Sequence, residues 1–105
     1  MSEFLEAASI DDIPASGKLC LELDDRFIVI IRIEDQYFCI DDLCTHDGGP
    51  LGEGELKGYC IVCPRHGAQF DVRSGAAVVM PATEPTASHE VRVEGSKIFV
   101  RLADD

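Results

Sequence analysis

Cys44 and His46 form one close pair in this chain, and Cys63 and His66 form another, with residues 47–62 between them. Each pair joins a soft thiolate to an imidazole, a donor set that suits iron or zinc. In one arrangement each short loop gives its Cys to one iron and its His to a second. Together the loops then clasp a [2Fe–2S] rhomb, with two sulfurs on one side and two nitrogens on the other. The other arrangement is a mononuclear Cys₂His₂ zinc site. Structural zinc sites usually pair like with like, as C-x₂₋₄-C and H-x₃₋₅-H. Both pairs here are mixed, which matches the first arrangement in order and spacing.

The neighbours of these residues carry a resemblance. Cys44-Thr45-His46-Asp47-Gly48-Gly49 and Cys63-Pro64-Arg65-His66-Gly67-Ala68-Gln69-Phe70-Asp71 resemble the two ligand loops of the Rieske family. Met80-Pro81-Ala82-Thr83-Glu84-Pro85 is similar to that family's proline-containing third loop. The resemblance is specific from about Asp41 to Pro85 and looser over the whole length. It implies an all-β fold, a Rieske-like antiparallel β-sandwich with an inserted Gly/Pro-rich cluster-binding lobe at about residues 42–86. It also implies one [2Fe–2S] cluster bound by Cys44, His46, Cys63 and His66.

Charge gives such a site its use. Two ferric ions, two sulfides, two thiolates and two neutral imidazoles sum to zero, whereas four thiolates leave an oxidised cluster doubly negative. Less negative charge eases electron addition, so these centres lie at about −150 to +300 mV against about −400 mV for plant-type ferredoxins. A ligating imidazole also exposes a second nitrogen, so reduction should couple to proton uptake at alkaline pH. High-potential members of the family add a Cys to each ligand loop and join them in a disulfide. The matching positions here are Gly49 and Arg65. Those relatives also place a Ser and a Tyr near the cluster, where this chain has Ala68 and Phe70. Hydrogen bonds to cluster sulfur raise the potential, so the resemblance is to the low-potential ferredoxin type of bacterial ring-hydroxylating dioxygenase systems.

The 105 residues are expected to form a single domain, spanning 1–105. With 46% hydrophobic and 28% charged residues the composition is that of a soluble globular protein. No run approaches the ~20 apolar residues of a membrane span. The N-terminus is acidic and lacks the basic start of a secretory signal, so the expected location is cytoplasmic.

Strands are expected almost throughout. Ser9 is placed to cap a single helical turn at residues 10–12, stopped by Pro14. Residues 18–23, 26–33 and 36–41 read as a meander about turns at Asp24-Asp25 and Glu34-Asp35. Residues 89–93 and 97–102 read as a closing hairpin about Glu94-Gly95-Ser96, with short strands at 59–62, 68–72 and 76–80 in the lobe. Gly52 and Gly54 read as ordinary turns, and Gly67 as a close-approach position beside a ligand. A lobe of this size buries little apolar surface alone, so metal should supply much of its folding energy.

Cys20, Cys39 and Cys60 remain. Three leftover cysteines without a signal argue against a disulfide scaffold. Cys20 and Cys39 read as small buried hydrophobes. Cys60 reads either as packed near the cluster or as facing solvent. His89, in an alternating run, reads as a surface residue. Asp71, Arg73, Ser74 and Gly75 read as strand-end and hairpin-turn residues.

Twenty acidic residues against nine basic give a net charge of −11. Phosphates would repel such a chain, which argues against nucleic acid, while a redox partner with a basic dock would be attracted. The resemblance implies a soluble one-electron carrier, itself no catalyst. It would be a monomer that meets a flavin-dependent reductase and a terminal oxygenase in transient, electrostatic contact, with Arg65 at the exposed tip. Two other classes share the motif: the small subunit of an assimilatory nitrite reductase-like enzyme, and a non-redox or sensor module. A complete oxygenase would need two further His and a carboxylate for a mononuclear iron, and only His89 is left.

Overall fold

The computed structural model describes residues 3–44, 49–65, 67–80 and 84–103. Among the described residues ten strands follow one another: β1 (Leu5–Ser9), β2 (Lys18–Leu23), β3 (Arg26–Ile33), β4 (Gln36–Asp41), β5 (Leu56–Lys57), β6 (Cys60–Val62), β7 (Gln69–Asp71), β8 (Ala77–Val79), β9 (Ser88–Glu94) and β10 (Lys97–Arg101). One 3₁₀ turn, Ile10–Asp12, follows β1. Ser9 caps it, as the sequence suggested: its hydroxyl oxygen accepts from Asp11 N–H, and its own N–H donates to the Asp12 carboxylate.

The strands form two antiparallel sheets. One has the order β1-β10-β9-β4-β3-β2 and the other β5-β6-β7-β8. The long sheet folds over on itself. Ile28 and Ile30 of β3 share a core with Ile98 and Val100 of β10, two strands that are not neighbours in the ladder. That core fills the sandwich. The opposite face of β3 and β4, with Val29, Ile31 and Ile40, packs on Ile61 and Phe70 of the small sheet. Thus β3 lies between two cores, which is why Ile28-Val29-Ile30-Ile31 is an unbroken apolar run with no exposed member.

The meander follows the expected boundaries. Asp24 and Asp25, at φ 51° and 66°, make the two-residue loop that closes Leu23 against Arg26. Positive φ at both positions is what a type I′ hairpin requires, and Asp tolerates it. The lobe strands are a residue or two shorter than expected. Two strands escape the sequence pattern: β5, with two residues, and β1. Leu5-Glu6-Ala7-Ala8 lacks alternation, and it is extended because it pairs with β10 across a register shift between Glu6 and Ala8.

Two readings need correction. His89 is not a surface residue: its side chain is fully buried beside Asp41. In β9 it shares a face with Val91, which packs on the sandwich core. Cys20 is exposed, not buried. Leu19, Leu21 and Leu23 take the sandwich-core positions of β2, so Cys20 lies with Lys18 and Glu22 on the opposite face, beside Gly52. Cys39 is buried as expected and belongs to the sandwich core.

Candidate metal centre

The first ligand loop starts where β4 ends, and side chains hold each residue of the approach. The Arg26 guanidinium binds both oxygens of Asp41 at 3.0 Å, and His89 Nε2 lies 2.8 Å from Asp41 Oδ1. Ala103 N–H donates to His89 Nδ1, which leaves the ring proton on Nε2 to donate to Asp41. Next along the chain, Asp42 donates its N–H to the Phe27 carbonyl, and its Oδ1 accepts from Leu51 N and Gly52 N at 2.7 Å each. The Leu43 carbonyl accepts from the hydroxyl of buried Thr86 at 3.0 Å. Cys44 N–H then donates to the Gly49 carbonyl at 2.7 Å.

The second ligand loop is the tip of a hairpin. Val62 and Gln69 are the last paired residues of β6 and β7, and Cys63 N–H donates to the Ala68 carbonyl at 2.7 Å. Both loops are therefore closed alike, by a bond from the cysteine nitrogen to the carbonyl five residues on. Gly67 donates to the Cys63 carbonyl from φ +79°, a conformation that disfavours a side chain. That backbone conformation already asks for glycine at position 67. Close approach to described atoms is found at Gly52 and Gly54. A Cβ at Gly52 would lie 2.0 Å from Cys20 Sγ, and one at Gly54 would lie 1.9 Å from the Val62 carbonyl oxygen.

Cys44 and Cys63 meet in one buried cluster with Leu51, Ala68, Phe70 and Val72, at 0% and 1% exposure. None of the five cysteines is in a disulfide. His46 and His66 lie outside the described residues, as do residues 81–83 of the third loop. At the flanks of that loop Met80 is exposed, and Thr86 ties the far end to Gly75 and to Leu43. Arg65 is exposed, as expected of a loop tip. Ala68 and Phe70 are wholly buried, and neither carries a hydroxyl.

The other thiols are set apart. Cys39 lies in the sandwich core, where burial and then Asp41 push its thiol up. Cys20 sits against Gly52 on the face of β2 opposite the sandwich core, with burial and then Asp42 raising its thiol. Cys60 is half-buried at the start of β6 and is likewise raised, first by burial. Asp71 and Arg73 form a hairpin-turn pair that keeps the Asp71 carboxyl below its usual range.

The donor chemistry fits a [2Fe–2S] cluster. Two buried thiols end two similarly closed loops, and each is followed in sequence by an imidazole. Sequence reasoning missed Asp42, Thr86 and the Asp41–His89 pair as supports. For His89 the signal was present in the alternation of β9. For Asp42 and Thr86 only proximity to the loops hinted at a role.

Known proteins share this sequence pattern and this fold. Residues 3–98 match the family model described as Rieske [2Fe-2S] domain. The ferredoxin component of the naphthalene 1,2-dioxygenase/salicylate 5-hydroxylase systems of Ralstonia sp is 29% identical over 94% of this chain and 95% of its own length. The 3-phenylpropionate/cinnamic acid dioxygenase ferredoxin subunit of Shigella boydii is 32% identical over 93% of this chain and 92% of its own. Among solved structures, the ferredoxin of carbazole 1,9a-dioxygenase from Nocardioides aromaticivorans superposes with a TM-score of 0.89 at 27% identity, covering 95% and 98% of the two chains. A ferredoxin bound to the reduced oxygenase of carbazole 1,9a-dioxygenase gives 0.85 at 29% identity, covering 93% and 92%. The chain therefore belongs to the Rieske [2Fe-2S] family, and one [2Fe–2S] cluster is its prosthetic group.

Proposed function

We propose that this chain is the ferredoxin component of a ring-hydroxylating oxygenase system, a single-domain carrier of one electron. It would accept that electron from a flavin-dependent reductase and deliver it to a terminal oxygenase, working as a cytoplasmic monomer and not as a catalyst. The relatives support this, since they are ferredoxin components of comparable length and one is bound to an oxygenase. Among the described residues no helix is long and apolar enough to cross a membrane.

The observation that carries the reading is the meeting of Cys44 and Cys63 in one buried cluster, at the ends of two loops closed alike. In this reading Cys44, His46, Cys63 and His66 hold the cluster, which when bound stores and releases one electron. The chain's own residues do the rest. Buried Ala68, Phe70 and Leu51 exclude water from the two thiols. Asp42 and Thr86 hold the first loop, and the β6–β7 ladder holds the second. The acidic surface speeds encounter with a basic partner.

Anaerobically purified protein should be reddish-brown, with two irons and two acid-labile sulfides per chain, and should take up one electron. A colourless preparation that holds one zinc after reconstitution with iron and sulfide would overturn the reading.

A further inference from the structure

Phe27 is the uncovered end of a buried row. On a pleated strand alternate residues share a face, so Phe27, Val29 and Ile31 point the same way. Val29 and Ile31 are fully buried in the cluster that contains Cys44 and Cys63, yet Phe27 is 66% exposed. Among the described residues Phe27 is not part of that core. Beside it lies Leu43, also exposed and joined directly to Cys44. The two apolar side chains line one surface pocket of about 210 Å³ with Arg26, Asp41 and Asp42. That volume lies below the roughly 300–1,000 Å³ of small-molecule sites and suits a single side chain.

The charges around the pocket select that side chain. Glu22 stands opposite Phe27 across the β2–β3 ladder, and Asp42, whose backbone N–H donates to the Phe27 carbonyl, lines the pocket on the other side. Asp24 and Asp25 form the adjacent exposed turn. Arg26, the cation among the described residues of the lining, is engaged by Asp41 and the Ala103 carbonyl. An aromatic face flanked by carboxylates complements a guanidinium, which is planar, weakly hydrated and always charged. A second copy of this chain would bring its own −11 charge to a surface of the same sign. We propose that the Phe27–Leu43 pocket is a docking platform for a basic redox-partner protein, which lays an arginine over the Phe27 ring beside the first ligand loop. This deepens the carrier reading and rests on it.

The probe is tris(1,10-phenanthroline)cobalt(III), a cation with flat aromatic faces, mixed anaerobically with the reduced holoprotein in a stopped-flow instrument. One electron leaves the cluster, which is oxidised, and reduces cobalt(III) to cobalt(II). Hexacyanoferrate(III), an anion reduced by the same one electron, is the control. Phe27→Ala should slow the cobalt reaction by roughly threefold, the size expected of one exposed cation–π contact, while the control rate stays unchanged. Phe27→Tyr should react as the wild type, and Glu22→Gln should slow the cobalt reaction too. Arginine amide, at an ionic strength matched with sodium chloride, should inhibit the wild type and not Phe27→Ala. The rival surface is the exposed edge of Val78, Val79 and Met80. A loss that follows Met80→Ser instead, or a Phe27→Ala protein as fast as the wild type, overturns the platform. Each preparation is first checked by visible and EPR spectra. A protein without a Rieske signal refutes the carrier reading, whereas a normal signal with an indifferent Phe27 refutes only the platform.

Discussion

Asp42 Oδ1 lies 2.7 Å from the Gly52 nitrogen and accepts its N–H together with that of Leu51. This one oxygen spans the first ligand loop, joining the residue two before Cys44 to the residues that follow Pro50. The two loops are thus held by different means. Beyond the bond from its cysteine nitrogen that closes each loop, the second is held by a strand ladder, the first by a carboxylate and by the Thr86 hydroxyl.

Asp42→Ala should therefore loosen the first loop. It leaves two backbone donors without their acceptor, at a cost of about 1–3 kcal/mol for each donor that stays buried. The cluster should bleach faster in the presence of an iron chelator, as followed by visible absorbance. Asp42→Asn keeps an acceptor oxygen and should recover most of the lifetime. Bleaching of Asp42→Ala at the wild-type rate would mean that the carboxylate does not hold the loop.

Much of this was legible in the sequence. The meander boundaries follow from alternation and from Asp-rich turns, which are local signals. The Cys44 and Cys63 motifs announce their chemistry through residue type and spacing. What escaped depends on contacts between distant segments. The strand state of Leu5–Ser9 is imposed by β10, and no local pattern competes with that pairing. Gly52 looks like a turn glycine until Cys20 Sγ is found against it. Cys20 and His89 differ from expectation for another reason. Their residue types point one way and strand parity the other, and parity sets Cys20 opposite the sandwich core and His89 toward it.

His89 joins the C-terminal segment to the start of the first ligand loop, because it meets both Ala103 N–H and Asp41. His89→Ala should leave Ala103 and Asp41 short of a partner and open a cavity, costing roughly 2 kcal/mol. For a domain of this size that lowers the melting temperature by about 8 °C or more. Thermal denaturation under anaerobic conditions measures it. A shift of less than about 2 °C, well under the change expected for 1 kcal/mol, would show that the buried pair adds little.

Substitutions should separate four of the five cysteines. Cys44→Ser and Cys63→Ser are expected to abolish cluster assembly and leave the lobe poorly folded, since metal binding and folding are coupled. Cys39→Ser and Cys20→Ser should retain iron and sulfide. Cys39 belongs to the other core and Cys20 to the face of β2 opposite that core. His46→Cys or His66→Cys should give no cluster or one of lower potential, because added thiolate charge opposes the electron. Iron and sulfide analysis of each variant decides the assignment, and loss of the cluster in Cys39→Ser or Cys20→Ser would contradict it.

The reduction potential should lie near the low end of the family range, about −150 mV, and hydroxyls should raise it. Ala68 and Phe70 are fully buried in the cluster of residues that holds Cys44 and Cys63. Neither side chain can donate a hydrogen bond there. Ala68→Ser and Phe70→Tyr would each introduce one donor. A net bond of ~1 kcal/mol favouring the reduced form corresponds to roughly 40 mV for one electron, on the scale of ~59 mV per tenfold. A hydroxyl that found no acceptor would instead cost stability in so dense a core, so each variant is checked by thermal denaturation as well. Protein-film voltammetry at fixed pH on the two single variants and the double gives the shifts. A wild-type potential high in the range, or well-folded variants whose potentials fall, would show that missing hydroxyls are not what keeps this centre low.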